Sequence, residues 1–217
     1  MKRVADIRRA FIDLRKENQI AENGTLEIVN ASFLADEPTI FGKINKDYIM
    51  RELEWYLSES LKVTDIRPPI PSIWSKVASR SGEINSNYGW CVFSEANFRQ
   101  FQRAMDTLIQ DKNSRQAALI YTRPTMHADA KRDGMRDFMC TYATQFIIRG
   151  NKLHHIIFMR SNDVVFGYRN DKAWQDYVHQ LALLTLKHYH FELELGDCYW
   201  NAASLHIYEQ HFDLVKP

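Results

Sequence analysis

The sequence predicts an α/β (α+β) protein, with helices and strands in mixed order around one large sheet. Three observations predict it. Apolar residues recur at helical spacing in several separate stretches, and runs rich in β-branched and aromatic residues lie between them. The dipeptide Gly150-Asn151 also sits between two long apolar runs, which is a strong hairpin signal. No internal repeat, low-complexity tract or linker composition divides the chain, so a single domain over 1–217 is expected. With 217 residues and 45% hydrophobic composition, such a domain can bury a substantial core.

Val4, Ile7, Phe11 and Leu14 lie at helical spacing among Arg and Asp residues, giving an amphipathic first helix that ends before Asn23-Gly24. Thr25 to Phe33 follows as a strand. Asp47 is placed to cap a second helix carrying Ile49, Leu53, Tyr56, Leu57 and Leu61, with Glu52 and Glu54 on it. Pro68, Pro69 and Pro71 lack amide donors and fix their backbone as extended or turning, so the segment from Arg67 is expected as a loop that delivers Trp74. Gly82 to Trp90 is polar, with glycine near both ends, and reads as a surface loop. Phe98, Phe101, Met105, Leu108 and Ile109 form a helical stripe suited to core packing.

A strand through Ala117 to Tyr121 stops at Pro124, and strands from Phe138 to Arg149 and from Lys152 to Met159 flank the glycine turn. A second, polar hairpin is expected from Met159 to Asp171. A helix starting at about Asp171 then carries Trp174, Tyr177, Val178, Leu181 and Leu184, and Phe191 to Trp200 returns to strand.

The formal charge of +1, from 28 basic and 27 acidic residues, excludes an overall field that would draw the protein to nucleic acid or to a membrane surface. Any bound anion must be held by a local cluster. Cys91, Cys140 and Cys198 are an odd number without paired spacing, and no apolar run follows Lys2-Arg3, so a reduced, cytoplasmic protein with no transmembrane segment is expected. His154-His155 and His188-Tyr189-His190 lack the Cys or carboxylate spacing of a zinc site, and no metal is expected.

Cys140 is the candidate centre. A free cysteine on an apolar strand is ordinarily an inert core residue. The following run, Met159 to Asp171, changes that reading because it packs two arginines, two aspartates, a serine and a glycine between apolar segments. Nearby arginines would favour the thiolate over a thiol whose unperturbed pKa is about 8.5.

The motifs Arg51-Glu52-Leu53-Glu54-Trp55-Tyr56, Ile73-Trp74, Asn87-Tyr88-Gly89, Ser114-Arg115, the Cys140 stretch, Arg160-Ser161-Asn162-Asp163, Gly167 and His206-Ile207-Tyr208 stand in the order seen in thymidylate synthases, which the chain resembles over nearly its whole length. Through Ala31 to Pro38, Gly82 to Trp90 and Met159 to Asp171 it is more similar to the bacteriophage deoxycytidylate hydroxymethylase branch of that family.

The resemblance implies a large bent mixed sheet flanked by helices, and a homodimer formed through the sheet. It implies binding of dCMP and of reduced folate, 5,10-methylenetetrahydrofolate, as co-substrate. Cys140 would add to C6 of the pyrimidine, making C5 nucleophilic. Glu52 would move protons, and Tyr88 would stand behind the catalytic pocket. Arg160, Ser161, Asn162 and Asp163 would bind substrate, with Arg160 and Ser161 on its phosphate and Arg115 reaching across to the partner's nucleotide. His206 and Tyr208, two apart on one strand face, would hold the ribose. Trp74, Asp163 and Gly167 would line the folate site.

Asp171 stands where thymidylate synthases carry asparagine. A carboxyl there suits the cytosine edge, whereas by position alone it could equally cap the helix expected to begin there. Thr141 stands where thymidylate synthases carry histidine, as in the hydroxymethylases, which favours water as the final nucleophile and a hydroxymethyl product. The resemblance therefore implies synthesis of modified cytosine for viral DNA, with a possible replication or nucleotide-synthesis complex as wider partner.

Departures from the family pattern are also legible. Gln116 follows Arg115 where a second arginine is common, and Glu22-Asn23-Gly24 replaces a loop that carries a phosphate arginine. A closing segment cut short at Pro217, soon after His211-Phe212, is expected to cover folate less completely. Alternative readings are a dUMP hydroxymethylase, a dCMP methylase, or a non-catalytic nucleotide-binding member.

Overall fold

The structure, a computed structural model, describes residues 1–216; Pro217 lies outside them. Its elements run α1 (Val4–Lys16), β1 (Thr25–Leu34), α2 (Lys46–Leu57), α3 (Ser72–Val77), α4 (Tyr88–Phe93), α5 (Gln100–Gln110), β2 (Ala118–Ile120), α6 (Met126–Asp129), β3 (Thr141–Arg149), β4 (Lys152–Asp163), α7 (Gly167–Lys187) and β5 (Glu194–Tyr208). The strands form one five-stranded mixed sheet in the order β1-β5-β4-β3-β2. Only β4 and β5 pair in parallel, and α7 supplies the long crossover that a parallel pair requires. No helix among the described residues is long and apolar enough to cross a membrane.

Two clusters of buried apolar side chains lie against the sheet. One joins Trp55, Tyr56, Tyr88, Phe101, Phe146 and Trp174; the other joins Phe11, Phe33, Met159, Tyr168, Trp200 and Leu205. Helix α7 contributes Tyr168 to one cluster and Trp174 to the other, so Asp171 falls on the turn between them. Helix α4 lies directly on the end of α2: a Cβ on Gly89 would come 1.8 Å from the Tyr56 carbonyl oxygen. Any larger residue would force the two helices apart.

Several local expectations are corrected. Asn45, not Asp47, caps α2 by accepting from the Tyr48 amide, and Leu61 lies beyond the helix end. The proline segment is irregular as expected, but Trp74 rides on α3, which follows Pro71 as its cap residue. Ile84 to Tyr88 is buried, not superficial, because Asp137 meets the polar groups of that segment inside the protein. Phe98 precedes α5 in a left-handed conformation and is 74% exposed, so it leaves the stripe to Phe101, Met105 and Leu108.

The region after residue 138 differs most from its pattern. Strand β3 starts at Thr141, and Cys140 occupies a bend just ahead of it. A register shift between Thr141 and Ala143 rephases the strand, so that Thr141, Thr144, Phe146 and Ile148 are all buried. Strand β4 continues through Asp163, replacing the expected second hairpin. The reason is its partner: Ser161, Asn162 and Asp163 pair with Ser204, Leu205 and His206 of β5, which itself continues well past Trp200. Helix α7 begins at Gly167, so Asp171 lies one turn inside it and is not a cap.

Candidate active site

Cys140 is held by Arg160 of β4. The Arg160 amide donates to the Cys140 carbonyl at 2.9 Å. Its Nε donates to the Met139 carbonyl at 3.0 Å, and Nη2 donates to the Phe138 carbonyl at 2.7 Å and approaches Cys140 Sγ at 3.5 Å. The guanidinium also stacks over Phe138, 5.1 Å from the ring centre. One arginine thus shapes the bend, faces the sulfur and keeps Nη1 without a protein partner among the described residues.

The thiol is not ionised by this arrangement. Burial pushes the Cys140 pKa up to about 11, assisted by the charges of Asp171 and Asp137, and the opposing pull of Arg160 does not offset it. Arg160 favours the thiolate, as expected of a nearby arginine, but a single guanidinium, already sharing its donors with two carbonyls, is outweighed by desolvation.

Glu52 is only 7% exposed, because α2 turns it inward beside Trp55 and Tyr56. Tyr48, one turn earlier, donates its hydroxyl to Glu52 Oε1 at 3.0 Å, and the Trp74 indole donates to the same oxygen at 3.2 Å. Burial raises the Glu52 pKa to about 7 against these two donors and the charge of Arg169. A carboxyl balanced near neutrality is suited to accept and return a proton.

Asp171 is half-buried, and burial raises its pKa to about 8; the Glu52 charge adds to the shift, while Tyr88 and Asn162 pull against it. Asn162 Nδ2 donates to Asp171 Oδ2 at 2.7 Å. Tyr88 is buried, stacked on Tyr56 with ring centres 5.3 Å apart, and receives a hydrogen bond from Thr141 Oγ1 at 3.0 Å. At neutral pH Asp171 is mainly a neutral acid, able to donate a proton as well as accept a hydrogen bond.

Asp163 closes the β4–α7 turn by accepting from the amides of Val165, Phe166 and Gly167 at 2.7–3.2 Å. Its carboxylate is therefore committed to backbone. Tyr208 lies close enough to Cys140, Arg160 and Asp163 for their charges to shift its hydroxyl, which is raised chiefly by burial. His206, next but one on β5, packs edge-on against the Tyr208 ring at 5.0 Å and shares a hydrogen bond with Ser204. Ser161 is half-buried between Arg160 and Asn162.

Arg115 is not brought to this cluster. It lies exposed ahead of β2, with its carbonyl accepting from Gln145. Sequence reading also missed contributors: Tyr48, Arg169 and Asp137. Tyr48 had a usable signal, since it stands four residues before Glu52 on the same helical face. Arg169 and Asp137 had none, because burial and charge environment bring them into play.

Residues 39–217 match the family model described as thymidylate synthase. The chain is 51% identical over 193 residues to the deoxycytidylate 5-hydroxymethyltransferases of Enterobacteria phages T4 and T2, covering 88% of this chain and 78% of each relative. The crystal structure of thymidylate synthase from T4 phage superposes with a TM-score of 0.69 at 22% identity, over 94% of this chain and 77% of that one. The chain belongs to the thymidylate synthase family.

Proposed function

We propose that the chain, as a single catalytic domain over 1–217, is a deoxycytidylate 5-hydroxymethyltransferase that converts dCMP to 5-hydroxymethyl-dCMP. The observation that carries this reading is the Asp171 carboxyl, held by Asn162 at 2.7 Å on the same site as Cys140, with burial raising its pKa. Cytosine offers an acceptor at N3 and a donor at its 4-amino group, and a carboxylic acid matches both. The 51% identity to the phage enzymes supports the same substrate.

The Cys140 sulfur bonds to C6 as Asp171 gives its proton to N3, and the proton leaving the sulfur restores the acid at Asp171, so the ring does not accumulate negative charge. Because the free thiol is protonated, its ionisation is coupled to substrate binding. C5 then becomes the nucleophile. Bound 5,10-methylenetetrahydrofolate would supply the one-carbon unit. Glu52, poised near pH 7, takes the C5 proton and returns one. Thr141 is buried with its hydroxyl on Tyr88; tetrahydrofolate leaves, water adds to the exocyclic carbon to complete the hydroxymethyl group, and the Cys140 sulfur departs from C6.

Arg160 Nη1 and Ser161 serve the phosphate, His206 and Tyr208 the ribose, and Trp74 with Gly167 the folate ring. Trp74 fits that role because its indole is half-buried and aligned by Glu52; Asp163 contributes by holding the turn. Strands β1 to β4 carry exposed large apolar residues, Val29, Ile120, Tyr142 and Phe158 respectively, which suits a homodimer formed through the sheet. Arg115 would then reach the partner's nucleotide.

The test is release of tritium from C5-labelled dCMP in the presence of methylenetetrahydrofolate, with the product identified by mass. Wild type should release label and form the hydroxymethyl nucleotide; Cys140→Ala should lose more than about 10³-fold. Activity on dUMP but not dCMP would overturn the reading.

A further inference from the structure

Asn162 is only 3% exposed, and its side chain makes one hydrogen bond among the described residues, from Nδ2 to Asp171 Oδ2 at 2.7 Å. Its Oδ1 is buried without a partner. Nothing else in the fold calls for an amide at this position, since an apolar side chain would pack without leaving a buried oxygen unpaired. The backbone is shaped to admit it. A Cβ on Gly167 would come 3.2 Å from Asn162 Nδ2 and 3.9 Å from Asp171 Oδ2, and Asp163 holds Gly167 in place through the turn amides.

We propose that Asn162 is a positioning residue that determines which oxygen of Asp171 carries its proton. The deduction rests on the dCMP reading above. An N–H donor is matched by the carbonyl oxygen of a carboxylic acid much better than by its hydroxyl oxygen. Donation from Asn162 therefore makes Oδ2 the carbonyl oxygen and places the O–H on Oδ1. Oδ1–H can donate to cytosine N3, while the second lone pair of Oδ2 accepts from the 4-amino group. Uracil would bring its own N3–H against Oδ1–H, setting donor against donor, so the same contact sharpens discrimination between the bases.

The groups acting on this acid are Glu52, Tyr48 and Tyr56 from α2, Tyr88 from α4, Cys140 from the bend before β3 and Asp163 from the end of β4. Tyr88 is the other hydrogen-bond donor to Asp171 among them, and Asn162 is the one whose contact fixes Oδ2, at 2.7 Å.

The experiment compares kcat/KM for dCMP and dUMP across pH in wild type, Asn162→Leu and Gly167→Ala. Asn162→Leu should lower kcat/KM for dCMP by about 10- to 50-fold, narrow the dCMP-to-dUMP ratio by a similar factor and move the alkaline limb upward, because a donor that stabilised ionised Asp171 is gone. Gly167→Ala, which presses on the amide, should move ratio and limb in the same directions by about 3- to 10-fold in rate. It carries the test alone if Asn162→Leu does not fold. A merely structural contact would lower active enzyme without moving the limb. Unchanged ratio and limb in a folded variant, with wild type active on dCMP, would overturn this inference alone; a wild type inactive on dCMP would overturn the proposed function first.

Discussion

Two aspartates flank the thiol and have opposite surroundings. Asp137, in the bend before β3, accepts from the Asn85 amide, the Ser86 amide and the Ser86 hydroxyl at 2.6–2.7 Å, with the Arg160 charge nearby. Asp171, one turn into α7, accepts at 2.7 Å from the Asn162 amide. Burial raises both. The difference lies in how many donors the backbone fixes around each carboxyl. Asp137 is encased and ties the buried segment from Ile84 to Tyr88 to the Cys140 bend, whereas Asp171 is held by side chains alone, Asn162 and Tyr88, which leaves it the carboxyl that the proposed reading turns to the base.

The largest effect that would sharpen this contrast is expected from Asp171→Asn. Its kcat/KM for dCMP should fall by about 10²–10³-fold, with preference moving toward dUMP. Stability should move the other way. The folded pKa of about 8 lies above the unfolded value near 3.9, so the native state holds this proton more tightly. The carboxyl therefore destabilises the fold increasingly as pH rises from about 4 to about 8. The gain in Tm from Asp171→Asn should be small at pH 4 and larger at pH 8; a gain independent of pH would contradict the buried-acid assignment.

Glu52→Gln comes next, with a loss in kcat of about 10²-fold. In wild type, kcat/KM for dCMP should be bell-shaped with its maximum between pH 7 and 8, since Glu52 near 7 must be ionised and Asp171 near 8 protonated. The two limbs belong to the interacting pair. Glu52→Gln should remove the acid limb and leave an alkaline one.

Asp137→Asn should reverse the balance between rate and stability. Losing one acceptor among fixed donors costs about 1–3 kcal/mol, which lowers Tm by roughly 2–4 °C per kcal/mol in a chain of this size. Activity of the folded fraction should change only a few-fold. If Asp137→Asn instead lost activity as Asp171→Asn does, at unchanged Tm, the distinction between the two carboxyls would be wrong. Trp74→Phe should have the smallest effect. Removing the indole donor raises Glu52 further, moving the acid limb upward with about a 2- to 5-fold loss at pH 7.

Much of this molecule was legible before folding. Helical spacing located α1, α2, α5 and α7, and Gly150-Asn151 located the β3–β4 hairpin, because those signals are local and periodic. The family motifs singled out Cys140, Glu52, Tyr88, Arg160 and Asp171, which the fold brings into one cluster of mutually acting groups. Those motifs are short and contiguous, so the chain order alone displayed them.

Tertiary structure decided what each residue does there. Whether Met159 to Asp171 made a hairpin or a strand entering a helix depended on β5, paired across the parallel ladder. Whether Cys140 was ionised depended on burial against one arginine, whether Asp171 capped a helix depended on α7 beginning at Gly167, and whether it kept a proton depended on burial and the Glu52 charge against the donors Tyr88 and Asn162. Sequence fixes which chemical groups are available and their local periodicity. Desolvation and charge coupling act through space, between groups that are far apart along the chain, and only the folded arrangement sets their sign.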